Sequence, residues 1–193
     1  MKEISPAEEK ILAATEKRMI AFGYRKVTMD EIAQDLGMSK NTIYKYFSSK
    51  DHIAKVLLER MKKRINQKQL IIEKDNEGPL DVIYKNVFYL QHELAPWFVN
   101  FLPDIKHDLP EQWETFVHYR TEKILEIEKL VEAGIKKGIF RNVNPTIAVR
   151  SFLGAVDATI NPDILQHENI SFEQALQEIL RIWSSGLLVK KLK

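Results

Sequence analysis

Residues 28–47 read TMDEIAQDLGMSKNTIYKYF, and this stretch decides the fold. Thr28 is placed to cap a helix, its hydroxyl accepting from an early backbone N–H, and Asp30 and Glu31 suit the positive N-terminal end. Ile32, Ala33 and Leu36 fall at helical spacing and form an inward face. Gly37 then stands where a helix end needs a left-handed residue. Ser39 caps a second helix that is predicted to run to Tyr46 or Phe47, and the small Ala33 lets the two helices cross closely. Two short helices about a tight turn make a helix-turn-helix.

At about 100° per residue, Ile43 and Phe47 share one side of the second helix and are expected to pack inward. The opposite side carries Asn41, Thr42 and Lys45, flanked by Tyr44 and Tyr46. Amide, hydroxyl and ammonium groups on so narrow a helix suit the edges of bases in a major groove.

Charge is distributed in a way that agrees. Residues 1–70 hold 15 Lys/Arg against 9 Asp/Glu, a net +6, and the remainder holds 14 against 18, a net −4. A basic first third fits a polyanion such as double-stranded DNA, whereas the acidic remainder does not. The chain has no cysteine, which removes disulfides and thiolate metal sites and fits a reducing compartment. No apolar run approaches the roughly 20 residues of a membrane span, so a cytoplasmic protein without membrane partners is expected.

The other elements read as helices. Ser5-Pro6 starts the first, with Ile11, Leu12, Ala14, Thr15, Met19 and Phe22 as its core stripe and Gly23 as its end. A connector helix over about residues 49–74, capped by Ser48 or Ser49, carries Ile53, Val56, Leu57, Met61 and Ile65, and ends before the linker Asp75-Asn76-Glu77-Gly78-Pro79. Further helices are predicted from Leu80 to about Leu94, interrupted by Pro96, and from Glu111 to Ile135, closed by Gly134 or Gly138. Asn144-Pro145 starts another that Asn161-Pro162 stops, and a capping box at Ser171 and Gln174 starts the last, expected to reach about Val189. The division is 1–50 for a three-helix DNA-binding domain and 51–193 for a helical ligand-binding and dimerisation domain, all-α throughout.

Met19-Ile20-Ala21-Phe22-Gly23-Tyr24-Arg25-Lys26-Val27-Thr28, followed by Ile32-Ala33, Gly37, Ser39, the block Ile43 to Phe47, and Lys50 with Ile53, resembles the N-terminal domain of TetR-family transcriptional regulators. The match covers about the first sixty residues, in order and at the right spacing. By this resemblance Tyr44, Lys50 and Thr28 grip phosphates, Lys40, Asn41, Thr42 and Lys45 face bases or adjacent phosphates, and Tyr46 stands near the backbone, with the capping Ser39 also among the candidate DNA-binding residues. Phosphate contacts fix register and base contacts select sequence.

In the last two helices the apolar surface exceeds what one monomer face needs. Gly154, Ala155 and Ala158 permit close approach, and Leu176, Ile179, Leu180, Trp183 and Leu187 supply apolar area. Two such helices per chain are expected to build a four-helix homodimer interface, setting two recognition helices on a pseudo-palindromic operator. Nine of the 18 aromatics fall within residues 84–119. Phe88, Trp97, Phe101, Trp113, Phe116 and Tyr119, with Phe152 and Asp157, are the candidate lining of a pocket for a small apolar or aromatic effector, with a filled core as the alternative.

No Gly-rich phosphate loop, nucleophile elbow, zinc helix or cysteine nucleophile is present, so no catalytic residue, cofactor or metal is expected. The cluster His92, Glu93, Asp104, His107 and Asp108 matches no strong metal template. The expected function is that of a DNA-binding transcriptional regulator, a repressor released by its effector. The alternative is a helical small-molecule-binding protein or enzyme without DNA function.

Overall fold

Caps written in the sequence start most of the helices seen in the computed structural model, which describes residues 4–75 and 78–189. Among these the elements are α1 (Pro6–Lys26), α2 (Met29–Leu36), α3 (Lys40–Tyr44), α4 (Lys50–Lys74), α5 (Pro79–Phe98), α6 (Phe101–Asp108), α7 (Pro110–Lys136), α8 (Pro145–Thr159), α9 (Pro162–His167) and α10 (Phe172–Leu187). Reciprocal capping boxes open α1 at Ser5 and Glu8, α2 at Thr28 and Glu31, and α10 at Ser171 and Gln174. The fold is all-α; the one extended pairing among the described residues is an isolated antiparallel bridge between Phe140 and Leu188.

The helices gather into two compact units, Met1–Arg64 with Pro96–Val117, and Ile65–Ala95 with His118–Lys193. This differs from the expected boundary after residue 50. Ile53, Ala54, Leu57, Leu58 and Met61 of α4 are buried, so the first half of the connector belongs to the core of the first unit. Asn76 and Glu77 of the expected linker lie outside the described residues.

In the first unit, α1 packs on α2 and α6, and Ile11, Leu12, Met19, Ile32, Ile43 and Phe47 close the core between them. Arg18 of α1 makes a two-pronged ion pair with Asp35 of α2. Phe22 was expected in the core stripe and is instead 55% exposed. The chain breaks from helical geometry at Gly23 (φ 84°, ψ 170°), and Tyr24 takes the inward place.

Helix α6 was not expected between the helix interrupted by Pro96 and the one starting at Glu111. Pro96 sits two residues before the end of α5, and Pro103 falls in the first turn of α6, where an N–H has no intrahelical partner to lose. Asn100 donates from Nδ2 to the carbonyls of Ile20 and Ala21, 3.2 and 3.1 Å away, and Asp104 accepts from the Arg25 N–H at 2.9 Å. Arg25 also pairs with Asp108 at 2.6 Å. Asp104 and Asp108 of the acidic cluster thus hold α6 to α1.

The Arg25 guanidinium, with a further hydrogen bond from His107, holds the Asp108 carboxyl down from the ordinary 3.8 to about 2. A depressed carboxyl contributes stability that is complete above its unfolded value and lost as pH falls through its folded one. Asp108→Asn is therefore expected to lower Tm at pH 7, with the gap to the wild type shrinking between pH 4 and 2 in thermal scans. A gap independent of pH would show that the ion pair contributes nothing.

In the second unit α8 packs on α10, with the Phe152 and Trp183 rings 5.2 Å apart and Trp183 Nε1 donating to the Ala148 carbonyl at 2.7 Å. Helix α7 ends at Gly138 (φ 68°), where Gly138 and Ile139 N–H groups reach back to the carbonyls of Ile135 and Gly134, both at 3.0 Å. Asn161-Pro162 ends α8 as expected but also begins α9, with the Asn161 side chain accepting from Ile164 N. Helix α10 stops at Leu187, short of the expected Val189. The chain there turns extended: Arg141 N–H donates to the Leu187 carbonyl at 2.9 Å and Val189 N–H to that of Ile139 at 3.1 Å.

Candidate nucleic-acid interface

The turn between α2 and α3 is built by two local motifs. Gly37 (φ 61°) closes α2, its N–H reaching the Gln34 carbonyl at 3.2 Å while Met38 N–H reaches that of Ala33 at 3.0 Å. Ser39 then caps α3, its Oγ accepting from Thr42 N at 3.1 Å. Ile43 and Phe47 are buried, which turns Asn41, Tyr44, Lys45 and Tyr46 outward. Helix α3 is shorter than expected, ending at Tyr44 with Lys45 still in helical conformation. Tyr46 N–H and Phe47 N–H both return to the Ile43 carbonyl, at 2.9 and 3.0 Å, tightening the last turn before α4.

On that face the predicted residues are not equivalent. The Asn41 and Lys45 side chains are exposed and make no hydrogen bond or ion pair among the described residues, so both are free to engage a ligand. Tyr44 and Tyr46 are 46% and 37% exposed. Lys40 is paired with Asp30 at 2.8 Å on the surface, an interaction that a phosphate can replace at little cost. The hydroxyls of Thr28, Ser39 and Thr42 are committed locally, Thr28 to Glu31 and Ser39 to Thr42.

Lys50 departs most from expectation. Its Nζ donates to the Tyr24 carbonyl at 2.9 Å and lies 4.0 Å from the centre of the Tyr24 ring, and partial burial lowers its pKa. The Tyr24 hydroxyl in turn donates to Asp51, and burial foremost raises its pKa. The resemblance implies that Lys50 grips a phosphate. The structure gives it a fixed seat at the start of α4 with two N–H groups left over.

The eight candidate effector residues do not form one cluster. Trp97, Phe101, Trp113 and Phe116 belong to the first unit, where Trp97 and Phe101 meet edge-on at 4.8 Å and Trp113 and Phe116 lie 5.6 Å apart. Phe88, Tyr119, Phe152 and Asp157 belong to the second. Trp97, Phe101, Tyr119 and Phe152 are buried among other side chains, Phe88 is 48% exposed, and Asp157 lies on the surface, ion-paired with Arg120.

The expected dimer residues divide too. Leu176, Leu180 and Leu187 are buried within their own unit and so are unavailable to a partner. An α10 that is apolar around most of its circumference does not declare which side the monomer takes. Gly154 and Ala158 are exposed, Ala155, Ile179 and Trp183 half-buried. Two further residues complete this face: Ile182, part of the apolar surface of the last helix, and Ile147, which the sequence did not single out, 65% and 66% exposed. Ile147, Ser151, Gly154 and Ala158 follow helical spacing, a signal that could have found them. An open groove of about 460 Å³ runs beside them, lined by Asn144, Ile147, Ser151, Ile182, Trp183 and Gly186 among others.

Comparison with known proteins agrees with this geometry. The family model described as bacterial regulatory proteins, tetR family, matches residues 11–57. An HTH-type transcriptional regulator of Bacillus subtilis (strain 168), YvaF, is 23% identical over 181 residues, covering 93% of this chain and 95% of that protein. A transcriptional regulator from Cytophaga hutchinsonii superposes with a TM-score of 0.74 at 16% identity, covering 96% of this chain and all of that one. A putative transcriptional regulator from Saccharomonospora viridis, solved with choline, gives 0.76 at 17% identity over 95% and 98% of the two chains. No helix among the described residues is long and apolar enough to cross a membrane. Residues 11–57, with the capped turn and the outward face of α3, thus form the DNA-binding domain described for bacterial regulatory proteins of the tetR family, in a chain similar to transcriptional regulators over nearly its whole length.

Proposed function

We propose that the chain acts as a homodimeric repressor that holds a pseudo-palindromic operator until a small molecule binds its second unit. The observation that carries the reading is the free amide and ammonium of Asn41 and Lys45 on a helix whose opposite side is locked in the core. Asn41 suits bidentate pairing with adenine and Lys45 donation to guanine. Tyr44, Tyr46, Lys40 and the seated Lys50 supply phosphate contacts, with Thr28, Ser39 and Thr42 at the helix starts.

Dimerisation is assigned to the exposed face of α8 and α10. Ile147, Gly154 and Ala158 share one side of α8 at helical spacing, and these residues and Ile182 of α10 are apolar or small and uncovered in the monomer. The groove between them fits the same ridge from a second copy about a twofold axis. An effector is supported by the family and by the choline bound in the Saccharomonospora viridis protein. It releases DNA only by binding the two conformations with different affinity.

Fluorescence anisotropy with duplexes from the chain's own promoter tests the division of labour. Asn41→Ala and Lys45→Ala are each expected to cost about 1–3 kcal/mol on the operator and to relax its sequence preference. Lys50→Ala is expected to weaken every duplex alike and to reduce the salt slope by about one. Equal losses on all sequences for all three variants would contradict the assignment.

A further inference from the structure

Lys50 stands among more negative charge than a phosphate contact should tolerate. Burial lowers its pKa, while the carboxylates of Asp51, Asp108 and Asp104 push it back up, so all three act on the ammonium. Yet Lys50 makes no ion pair among the described residues; its Nζ rests on the neutral Tyr24 carbonyl at 2.9 Å and over the Tyr24 ring at 4.0 Å. Each carboxylate is answered elsewhere. Arg25 takes two of them, its N–H donating to Asp104 and its guanidinium to Asp108. Asp51 is taken by the Tyr24 hydroxyl, 2.5 Å from its Oδ1.

That last bond depends on one side chain. Tyr24 is buried beyond the backbone break at Gly23, and burial foremost raises its pKa, with the bond to Asp51 adding to the shift. The hydroxyl therefore keeps its proton and donates to a charged acceptor. Asp51 lies in the first turn of α4, where a carboxylate suits the helix end, but it leaves the chain one residue after Lys50. Any phosphate on the Lys50 ammonium thus comes within range of the Asp51 charge. Asp51 is otherwise exposed, and its side chain makes no other hydrogen bond or ion pair among the described residues. Without the Tyr24 hydroxyl it would be free to turn toward the ammonium or against the phosphate.

We propose that Tyr24 is a positioning residue for DNA contact: its carbonyl and ring present the Lys50 ammonium, and its hydroxyl holds the Asp51 carboxylate back from the phosphate. The inference rests on the DNA-binding reading above and deepens it, since Tyr24 is buried and acts only through Lys50 and Asp51.

The test is fluorescence anisotropy of the full-length protein on a duplex covering its own promoter, across salt, with Tyr24→Phe, Asp51→Asn and the double variant. Tyr24→Phe keeps the ring and the carbonyl and loses only the hold on Asp51. Two like charges about 6 Å apart in water shift binding about threefold, and a dimer meets that penalty twice. A loss of about tenfold is therefore expected at about 50 mM salt, shrinking as salt rises. Asp51→Asn is expected to restore Tyr24→Phe to wild-type affinity and to gain far less in the wild type. A Tyr24→Phe variant that binds like the wild type, or whose loss persists in the double variant or ignores salt, would overturn the proposal and leave the DNA-binding reading standing. Asp51→Asn alone gives a check that does not need Tyr24→Phe to fold: a gain of about tenfold in the wild type would mean that Asp51 already faces the phosphate, and the proposal falls. A wild type that binds no duplex at any salt overturns both.

Discussion

Ile182→Asp is expected to turn the dimer into a monomer and to lower operator affinity by at least about 100-fold, because each half-site then binds without the effective concentration supplied by its partner. Ile182 is 65% exposed, so the monomer keeps its fold and its Tm changes little. Its charge would meet its own symmetry mate, or lie close to it, at the centre of an apolar twofold contact. Sedimentation velocity reads the oligomeric state and anisotropy the affinity. Leu180→Asp is the contrasting variant: Leu180 is buried in its own unit, and the charge should unfold that unit rather than split a dimer. If Ile182→Asp remained dimeric with full operator affinity, the interface would lie on another face.

The second large effect concerns Gly23, where α1 breaks against α6. Its φ of 84° with ψ of 170° lies in a region that side chains avoid. A Cβ there would come 2.6 Å from Asp104 Oδ2 and 3.0 Å from the Asn100 carbonyl oxygen. Gly23→Ala must strain the backbone and push away Asn100 and Asp104, two of the residues that hold α6 to α1. Together these should cost about 3 kcal/mol, read as a lower urea midpoint at unchanged slope. A loss under half a kcal/mol would mean that the break at Gly23 relaxes freely.

The helix-turn-helix was legible because its signals are local. Thr28, Gly37 and Ser39 each act within four residues, and the structure uses them as caps. What was misread depends on distant packing. Phe22 has the helical phase of a core residue, but the backbone break at Gly23 leaves it outside. Pro103 carries the same identity as a true breaker, and only its position in the first turn of a helix makes it harmless. Leu180 and Ile182 are equally apolar on one helix, and only the fold shows that one is buried and the other bare. Aromatic density likewise says nothing about which unit an aromatic joins, so Trp97 and Phe152 were grouped although they belong to separate ones.

The seat of Lys50 joins the candidate DNA surface to the core of its unit. An ammonium bonded to the Tyr24 carbonyl and stacked on its ring loses little further freedom when a phosphate arrives. Tyr24 also holds Asp51, so the start of α4 is fixed by one buried ring.

The most direct test of the account is a titration of the chain against a pseudo-palindromic duplex from its own promoter and a scrambled duplex, from 50 to 300 mM salt. Two chains per duplex are predicted, with affinity falling steeply as salt rises and the operator preferred by at least about 1,000-fold. Equal binding to both duplexes, or none to either, would contradict the claim that α3 reads a sequence in DNA.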